Sequence, residues 1–172
     1  MDSTFWNFSV AIYGASGVES ECLALQDQFG LDINLVLFCA FLGAVHGVAL
    51  TPDDIAAVRK EVGPWHQNIV STLRAARRHL KTTELQDAVA AKAAFELRAR
   101  VKAAELESER IEQSMLERWA GPRLPTWSRS KPRDAVMANL QALLVTYGIG
   151  PERLTAATAM KNTIAAMRSL HA

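Results

Sequence analysis

The sequence predicts an all-α protein, a single-domain helical bundle of about seven helices with a central apolar helix. Three observations predict this fold class. Apolar residues recur at spacings of three and four in most segments, and glycine or proline lies at nearly every division between them. No segment shows the sustained alternation of apolar and polar residues that is typical of a half-buried strand. The 172 residues, 49% hydrophobic and 22% charged, are enough for one such domain and exclude a disordered chain.

Two amphipathic helices are predicted at the start of the chain. The first begins after Asp2 or Ser3, either of which can cap a helix, and ends at Gly14. The second covers about residues 18–29 and ends at Gly30, because glycine is the usual residue just beyond a helix end.

The third predicted helix is the most apolar stretch of the chain. The run LVLFCAFLGAV at residues 35–45 follows Asp32, which we expect to cap the helix. It is well short of the about 18 to 20 residues that cross a bilayer. We therefore expect residues 31–46 to form the packed centre of the domain, with no membrane span.

Two further helices are predicted from strong start and stop signals. Thr51-Pro52, followed by two acidic residues, is typical of a helix start. We expect that helix to end at Gly63-Pro64 and a new one to run from Trp65 to about Lys81.

A long helix capped by Thr83 is predicted to reach about Trp119. Its apolar seam covers fewer than three heptads, which favours an antiparallel partner within the chain over an extended coiled coil. The residues predicted to form the seam are Leu97, Val101, Ala104, Ser108, Ile111 and Met115.

Composition divides the chain into three parts. We expect a helical core domain over residues 1–119, a proline-rich basic linker over 120–133, and a C-terminal helical hairpin over 134–172 packed on the core. Trp127 lies among basic residues in the linker, a composition that can contact single-stranded nucleic acid. We favour the alternative, that Trp127 anchors the linker on the domain.

The N-terminal residues follow the pattern FWxFS and then GVxxxCLxLQDxxGLDxN. Together with Leu37-Phe38-Cys39, the basic run between Leu73 and Lys81, and Glu105-Leu106 with Glu109, this pattern resembles a bacterial family defined only as a domain of unknown function. The resemblance covers about residues 4–118. It implies a small helical protein and carries no activity or functional residue.

Charge, cysteine content and targeting signals limit the function classes. The net charge of +1 argues against an overall basic nucleic-acid binder, although residues 1–50 hold five acidic residues and no Lys or Arg. Cys22 and Cys39 are too few for a disulfide framework, so we expect free buried thiols. The first residues lack a secretory pattern, and we expect a cytoplasmic protein.

Polar residues beside the apolar helix form the first candidate site. We expect Gln26, Asp27 and Asn34 to hold the turn between the second and third helices. The alternative is a pocket for an apolar small molecule, because ligand sites combine apolar walls with a few polar groups. The candidate lining residues are Trp6, Gln26, Asp27, Asn34 and Phe38.

A basic stripe forms the second candidate site. Its residues, at i, i+3, i+4 and i+7 of one helix, are Arg74, Arg77, Arg78 and Lys81. A matching acidic stripe on the long helix consists of Glu105, Glu109 and Glu112. We expect an ion-pair network between the two stripes. The alternative is a surface for an anion or a partner, with nucleic acid the less favoured ligand.

No motif for catalysis or cofactor binding is present. A carboxylate-bridged metal site in a helical bundle typically uses a glutamate three residues before a histidine, and none of His46, His66, His79 and His171 has one. We expect no catalytic residue, no metal and no cofactor. The favoured function is a non-catalytic interaction or accessory module with a protein partner or a second copy.

Overall fold

The computed structural model describes residues 3–169, and the prediction of an all-α fold is confirmed. His171 lies outside the described residues. Within them, helices account for every regular element except a single antiparallel bridge between Val48 and Arg129. The elements are α1 (Thr4–Tyr13), α2 (Val18–Phe29), α3 (Ile33–His46), α4 (Pro52–Trp65), a π-helical segment (His66–Val70), α5 (Ser71–Thr82), α6 (Ala88–Ala120), α7 (Pro132–Thr146), α8 (Ala156–Ala159) and α9 (Lys161–Ser169).

The apolar helix α3 lies at the centre of the bundle, as predicted. Residues 34–44 are all buried, and α1, α6 and α7 pack around them. The ring of Phe38 contacts Phe5 edge to face at 5.6 Å and Trp119 at 6.5 Å. In the described part of the chain, no helix has both the length and the apolar character to cross a bilayer.

Helix α7 packs closely along α3. Gly43 permits this approach, because a Cβ at that position would lie 2.6 Å from the backbone nitrogen of Val136. One helical turn further along α7, the buried Asn139 accepts a hydrogen bond from the backbone of Leu50 and donates to the carbonyls of Cys39 and Val48. These bonds join α7 to α3 and satisfy backbone groups of the loop between α3 and α4.

The segment between α6 and α7 is anchored by Trp127, as predicted. Its indole is half-buried beside Trp119, with ring centroids 5.6 Å apart. The indole nitrogen donates to Asp54 Oδ1 at 3.2 Å. The anchor therefore fastens this segment to both α6 and α4.

The prediction that a helix ends at Gly63-Pro64 is wrong. Helix α4 continues through Pro64 to Trp65, and the π-helical segment joins it directly to α5. Proline removes one helical hydrogen bond, and the wider turn after it restores helical bonding, with Ser71 N donating to the carbonyl of His66. The Trp65 indole also donates to the carbonyl of Ser108, which holds this junction against α6.

Two predictions about the long helix are wrong. Helix α6 begins at Ala88, where Asp87 caps it by accepting a bond from Ala90 N at 2.7 Å. Leu97 and Ile111 of the predicted seam are exposed. The face of α6 that is buried is partly polar and includes Glu105, Ser108, Glu112, Gln113, Leu116 and Trp119. Acidic residues can lie there because α5 and the π-helical segment supply partners for them.

Candidate functional site

Three polar side chains from three elements meet at the N-terminal end of α3. Asp32 is the N-cap of α3, as predicted: its Oδ1 accepts bonds from Asn34 N at 2.9 Å and Leu35 N at 3.3 Å. Its second oxygen, Oδ2, lies 3.3 Å from Nδ1 of His66. The same Nδ1 lies 3.2 Å from Oε1 of Glu112 on α6. We call these residues the Asp32–His66–Glu112 cluster.

The π-helical segment positions the histidine of this cluster. His66 is its first residue and follows directly on Trp65, whose indole is bonded to α6. π-helical turns inside α-helices are frequent at functional sites because they change the direction in which side chains project.

The carboxylate of Glu112 is held deep in the core. The residue is fully buried, and Asn34 Nδ2 donates to its Oε2 at 2.7 Å. Gln113 Nε2 in turn donates to Asn34 Oδ1 at 2.9 Å. These bonds satisfy part of the buried polar surface and fix the orientation of the carboxylate.

Burial and proximity shift the acidity of the cluster. Burial, reinforced by the neighbouring Glu112 carboxylate, raises the pKa of Asp32 well above its usual value. Burial alone would lower the pKa of His66, but the hydrogen bond that it donates to Glu112 and the charge of Asp32 raise it above the ordinary histidine value. The cluster therefore tends to keep a positive charge between two carboxyl groups.

A cleft of about 480 Å³ opens beside the cluster. The end of α2 forms one wall and the first turns of α5 the other, and His66 belongs to the lining. The lining residues are Gln26, Asp27, Gly30, Leu31, His66, Ser71, Arg74, Ala75, Arg78 and His79. A volume of this size suits a small metabolite.

The predicted network between the basic and acidic stripes is confirmed for two of the glutamates. Arg74 contacts Glu105 at 3.1 Å and Glu109 at 2.7 Å, and Arg77 contacts Glu105 through two hydrogen bonds. Glu112, the third predicted acid, instead contacts His66. It lies about one helical turn after Glu109 and is fully buried.

The other two basic residues of the stripe point away from this network. Arg78 contacts Asp27 of α2 at 2.8 Å, and both side chains are about half exposed. This hydrogen bond lowers the pKa of Asp27. Lys81 is exposed, and the described residues include no ion-pair partner for it.

The five candidate residues for an apolar ligand are placed in different surroundings. Gln26 and Asp27 line the cleft with Arg74 and Arg78. Asn34 lies in the buried network beside Glu112. Trp6 is half-buried, with the guanidinium of Arg110 4.7 Å from its ring centroid, and Phe38 is wholly buried in the core.

Sequence reasoning missed the role of His66 and of Glu112 as its partner. The two residues are 46 positions apart, and neither belongs to a local ligand motif. The only local signal was Pro64, two residues before His66, which marks an irregular helical turn.

The residues of the cluster fall within a region shared with other proteins. The model of a family described as Protein of unknown function (DUF2390) matches residues 4–116. This range agrees with the resemblance seen in the sequence, and it includes Asp32, His66 and Glu112. No curated protein and no solved structure shows significant similarity to the chain.

Proposed function

We propose that this chain, which belongs to DUF2390, a family of proteins of unknown function, binds a small anionic molecule in the cleft between α2 and α5. One observation carries the proposal. Residues from both sequence candidates, Gln26 and Asp27 from the first and Arg74 and Arg78 from the second, line the same cleft.

The two arginines offer different contributions to an anion. Arg74 is held by Glu105 and Glu109 and has only 13% of its side chain exposed, so its guanidinium is fixed in position. Among the residues that the structure describes, the Arg78 side chain is bonded only to the exposed Asp27, and exposed pairs of this kind contribute about 0 to 1 kcal/mol. An incoming phosphate or carboxylate group can therefore replace Asp27 as the partner of Arg78 at small cost.

The remaining lining groups select for a polar ligand. Asp27, once released from Arg78, accepts hydrogen bonds from hydroxyl or amino groups, and the Gln26 amide can both donate and accept. His66 and His79 add donors on the other wall. A small molecule with one anionic group and several hydroxyl groups matches this set. The cleft is far too small for a folded nucleic acid.

Glucose 6-phosphate, inorganic phosphate and succinate are suitable probes, with glucose as the neutral control. We expect the anionic probes to raise the melting temperature and glucose to leave it unchanged, because only the anions can engage Arg78. In calorimetric titrations Arg78→Gln should weaken binding at least about tenfold, since a charged hydrogen bond contributes roughly 1.5 to 3 kcal/mol.

Lys81→Gln is the matched control, since it removes an equal charge from the same helix outside the cleft lining. The proposal fails if no anionic probe binds, or if Lys81→Gln weakens binding as much as Arg78→Gln.

A second candidate function is contact with another protein through a helical arm. We define the arm as residues 71–104, which comprise α5, the connecting loop and the first half of α6. None of these residues, all of which lie in the described part, is buried. Val89 and Phe95 are 77% and 70% exposed. Large apolar side chains exposed together on an extended element favour a protein contact.

The partner that we propose for the arm is a second copy of the chain, since two arms packed side by side would cover Phe95. Sedimentation equilibrium over a wide concentration range tests this. We expect reversible dimerisation that Phe95→Ser weakens. Leu106→Ser, which changes an exposed apolar residue of α6 outside the arm, should have no effect. A wild-type chain that remains monomeric at the highest concentrations would rule out the dimer.

A further inference from the structure

We propose that the Asp32–His66–Glu112 cluster is a binding site for a divalent first-row transition metal ion such as Zn²⁺. Each residue offers one ligand atom, and these atoms all lie within 4.8 Å of one another. They are Oδ2 of Asp32, Nδ1 of His66 and Oε1 of Glu112. The inference is independent of the cleft proposal, because it concerns the ion alone.

The separations between the ligand atoms match those around a small metal ion. Zinc binds imidazole nitrogen and carboxylate oxygen at about 2.0 to 2.2 Å, so neighbouring ligands in a tetrahedral or octahedral shell lie about 3 Å apart. Nδ1 of His66 lies 3.3 Å from Oδ2 of Asp32 and 3.2 Å from Oε1 of Glu112. Two of the three separations therefore suit a metal shell, and an ion would take the place of the proton on His66 Nδ1.

One oxygen of each carboxylate is also held by another group. Oδ1 of Asp32 accepts the backbone bonds of the α3 cap, and Oε2 of Glu112 accepts the bond from Asn34. Gln113 in turn fixes the amide of Asn34. Outer hydrogen bonds of this kind orient the ligands of metal sites in proteins. Here they leave Oδ2 of Asp32 and both oxygens of Glu112 within 3.3 Å of His66 Nδ1.

The burial of the cluster favours a cation between its two carboxylates, and a divalent ion brings more positive charge there than a protonated His66 does. Asp32 and Glu112 are 5% and 0% exposed, and two ionised carboxylates in such surroundings repel each other. Arg74, the arginine that shares the cleft lining with His66, is already bonded to Glu105 and Glu109. A divalent ion would balance both carboxylates at once.

The donor set indicates the class of metal. An imidazole nitrogen suits zinc, iron, nickel and copper, whereas magnesium and calcium prefer oxygen ligands alone. Three protein ligands leave at least one coordination position open. Because His66 lines the cleft, the proposed metal site adjoins it.

Metal titration of the chelator-treated full chain tests the inference. We expect one Zn²⁺ per chain by calorimetry, and visible absorption bands from Co²⁺ in a site of low coordination number. The variants Asp32→Asn, His66→Asn and Glu112→Gln should each weaken binding at least tenfold. Asn at position 32 remains a good helix cap, and Asn at position 66 keeps a hydrogen-bond donor close to the place of Nδ1. His79→Ala, which removes another histidine of the cleft, is the control and should bind as the wild type does.

Two measurements on the wild-type chain do not depend on the folding of any variant. Zn²⁺ should raise the melting temperature and Mg²⁺ at the same concentration should not, because an ion that binds the folded state stabilises it. The ¹⁵N resonance of His66 Nδ1 should shift on addition of Zn²⁺, while the His79 ring nitrogens stay unchanged. The inference is overturned by absence of saturable one-to-one binding, by equal effects of Zn²⁺ and Mg²⁺, or by a His79→Ala defect as large as that of His66→Asn.

Discussion

Asn34 on α3 donates a 2.7 Å hydrogen bond to the fully buried carboxylate of Glu112 on α6. The bond joins two helices at the base of the candidate site, and Gln113 extends it by donating to Asn34 Oδ1. Replacing Asn34 by Ala leaves both Glu112 Oε2 and the Gln113 amide without this partner. We expect a loss of about 1 to 3 kcal/mol in the free energy of unfolding, measured by urea denaturation. Asn7→Ala, at an exposed position of α1, should change the stability by less than about 0.5 kcal/mol.

The ion pair between Arg77 and Glu105 should couple α5 to α6. Glu105 is 6% exposed, so its charge depends on the arginines that face it. A double-mutant cycle with Arg77→Ala and Glu105→Ala should give a coupling energy of about 0.5 to 3 kcal/mol. The exposed pair of Arg78 and Asp27 provides the comparison and should couple by about 0 to 1 kcal/mol. Equal coupling in the two cycles would contradict this difference in burial.

Gly43 should not tolerate substitution by alanine. At Gly43 a Cβ would meet the backbone of Val136 at 2.6 Å, so Gly43→Ala must push α7 away from α3. We expect a loss of about 1 to 3 kcal/mol by thermal or urea unfolding. A stable Gly43→Ala protein would show that the contact between α3 and α7 can relax.

The thiols of the folded protein should be unreactive. Both cysteines are free and buried, as the sequence predicted. Burial, followed by the charge of Glu21, raises the pKa of Cys22 to about 12, and burial, followed by the charge of Asp32, also raises the pKa of Cys39. The thiolate is the reactive form, and at pH 8 a thiol with that pKa is ionised in only about one molecule in ten thousand. Labelling by an aromatic disulfide reagent should therefore be slow in buffer and rapid and complete in denaturing urea. Rapid labelling in buffer would mean that the region around α3 opens locally.

The parts of the fold that the sequence predicted well are those specified by neighbouring residues. Asp32 caps α3 and Thr51 caps α4 because a cap requires only a side chain and a backbone N–H two or three residues later. The pairing of Arg74 and Arg77 with Glu105 followed from helical spacing and a short connection between two helices. The burial of α3 followed from an apolar stretch with no exposed face.

The Asp32–His66–Glu112 cluster could not be predicted in the same way, since it depends on contacts between distant parts of the chain. Glu112 meets Asn34 across 78 positions and His66 across 46. The rotation of α6 decides which of its residues face inward, and apolar spacing favoured a different face that includes Ile111. The acidic residues of α6 face inward instead, because the basic groups of α5 and His66 lie opposite them and pair with them.

The π-helical segment also determines how far α5 is rotated about its axis relative to α4. One residue of an α-helix corresponds to a rotation of about 100°. Deleting a single residue between His66 and Val70 would let α4 and α5 join as one regular α-helix, with α5 turned by that angle. Arg74 and Arg77 would then leave the side of the helix that faces Glu105, although no residue of the network had been changed. The wide turn therefore rotates α5 about its axis. This rotation brings the histidine of the cluster and the arginines of α5 to the same side of α6.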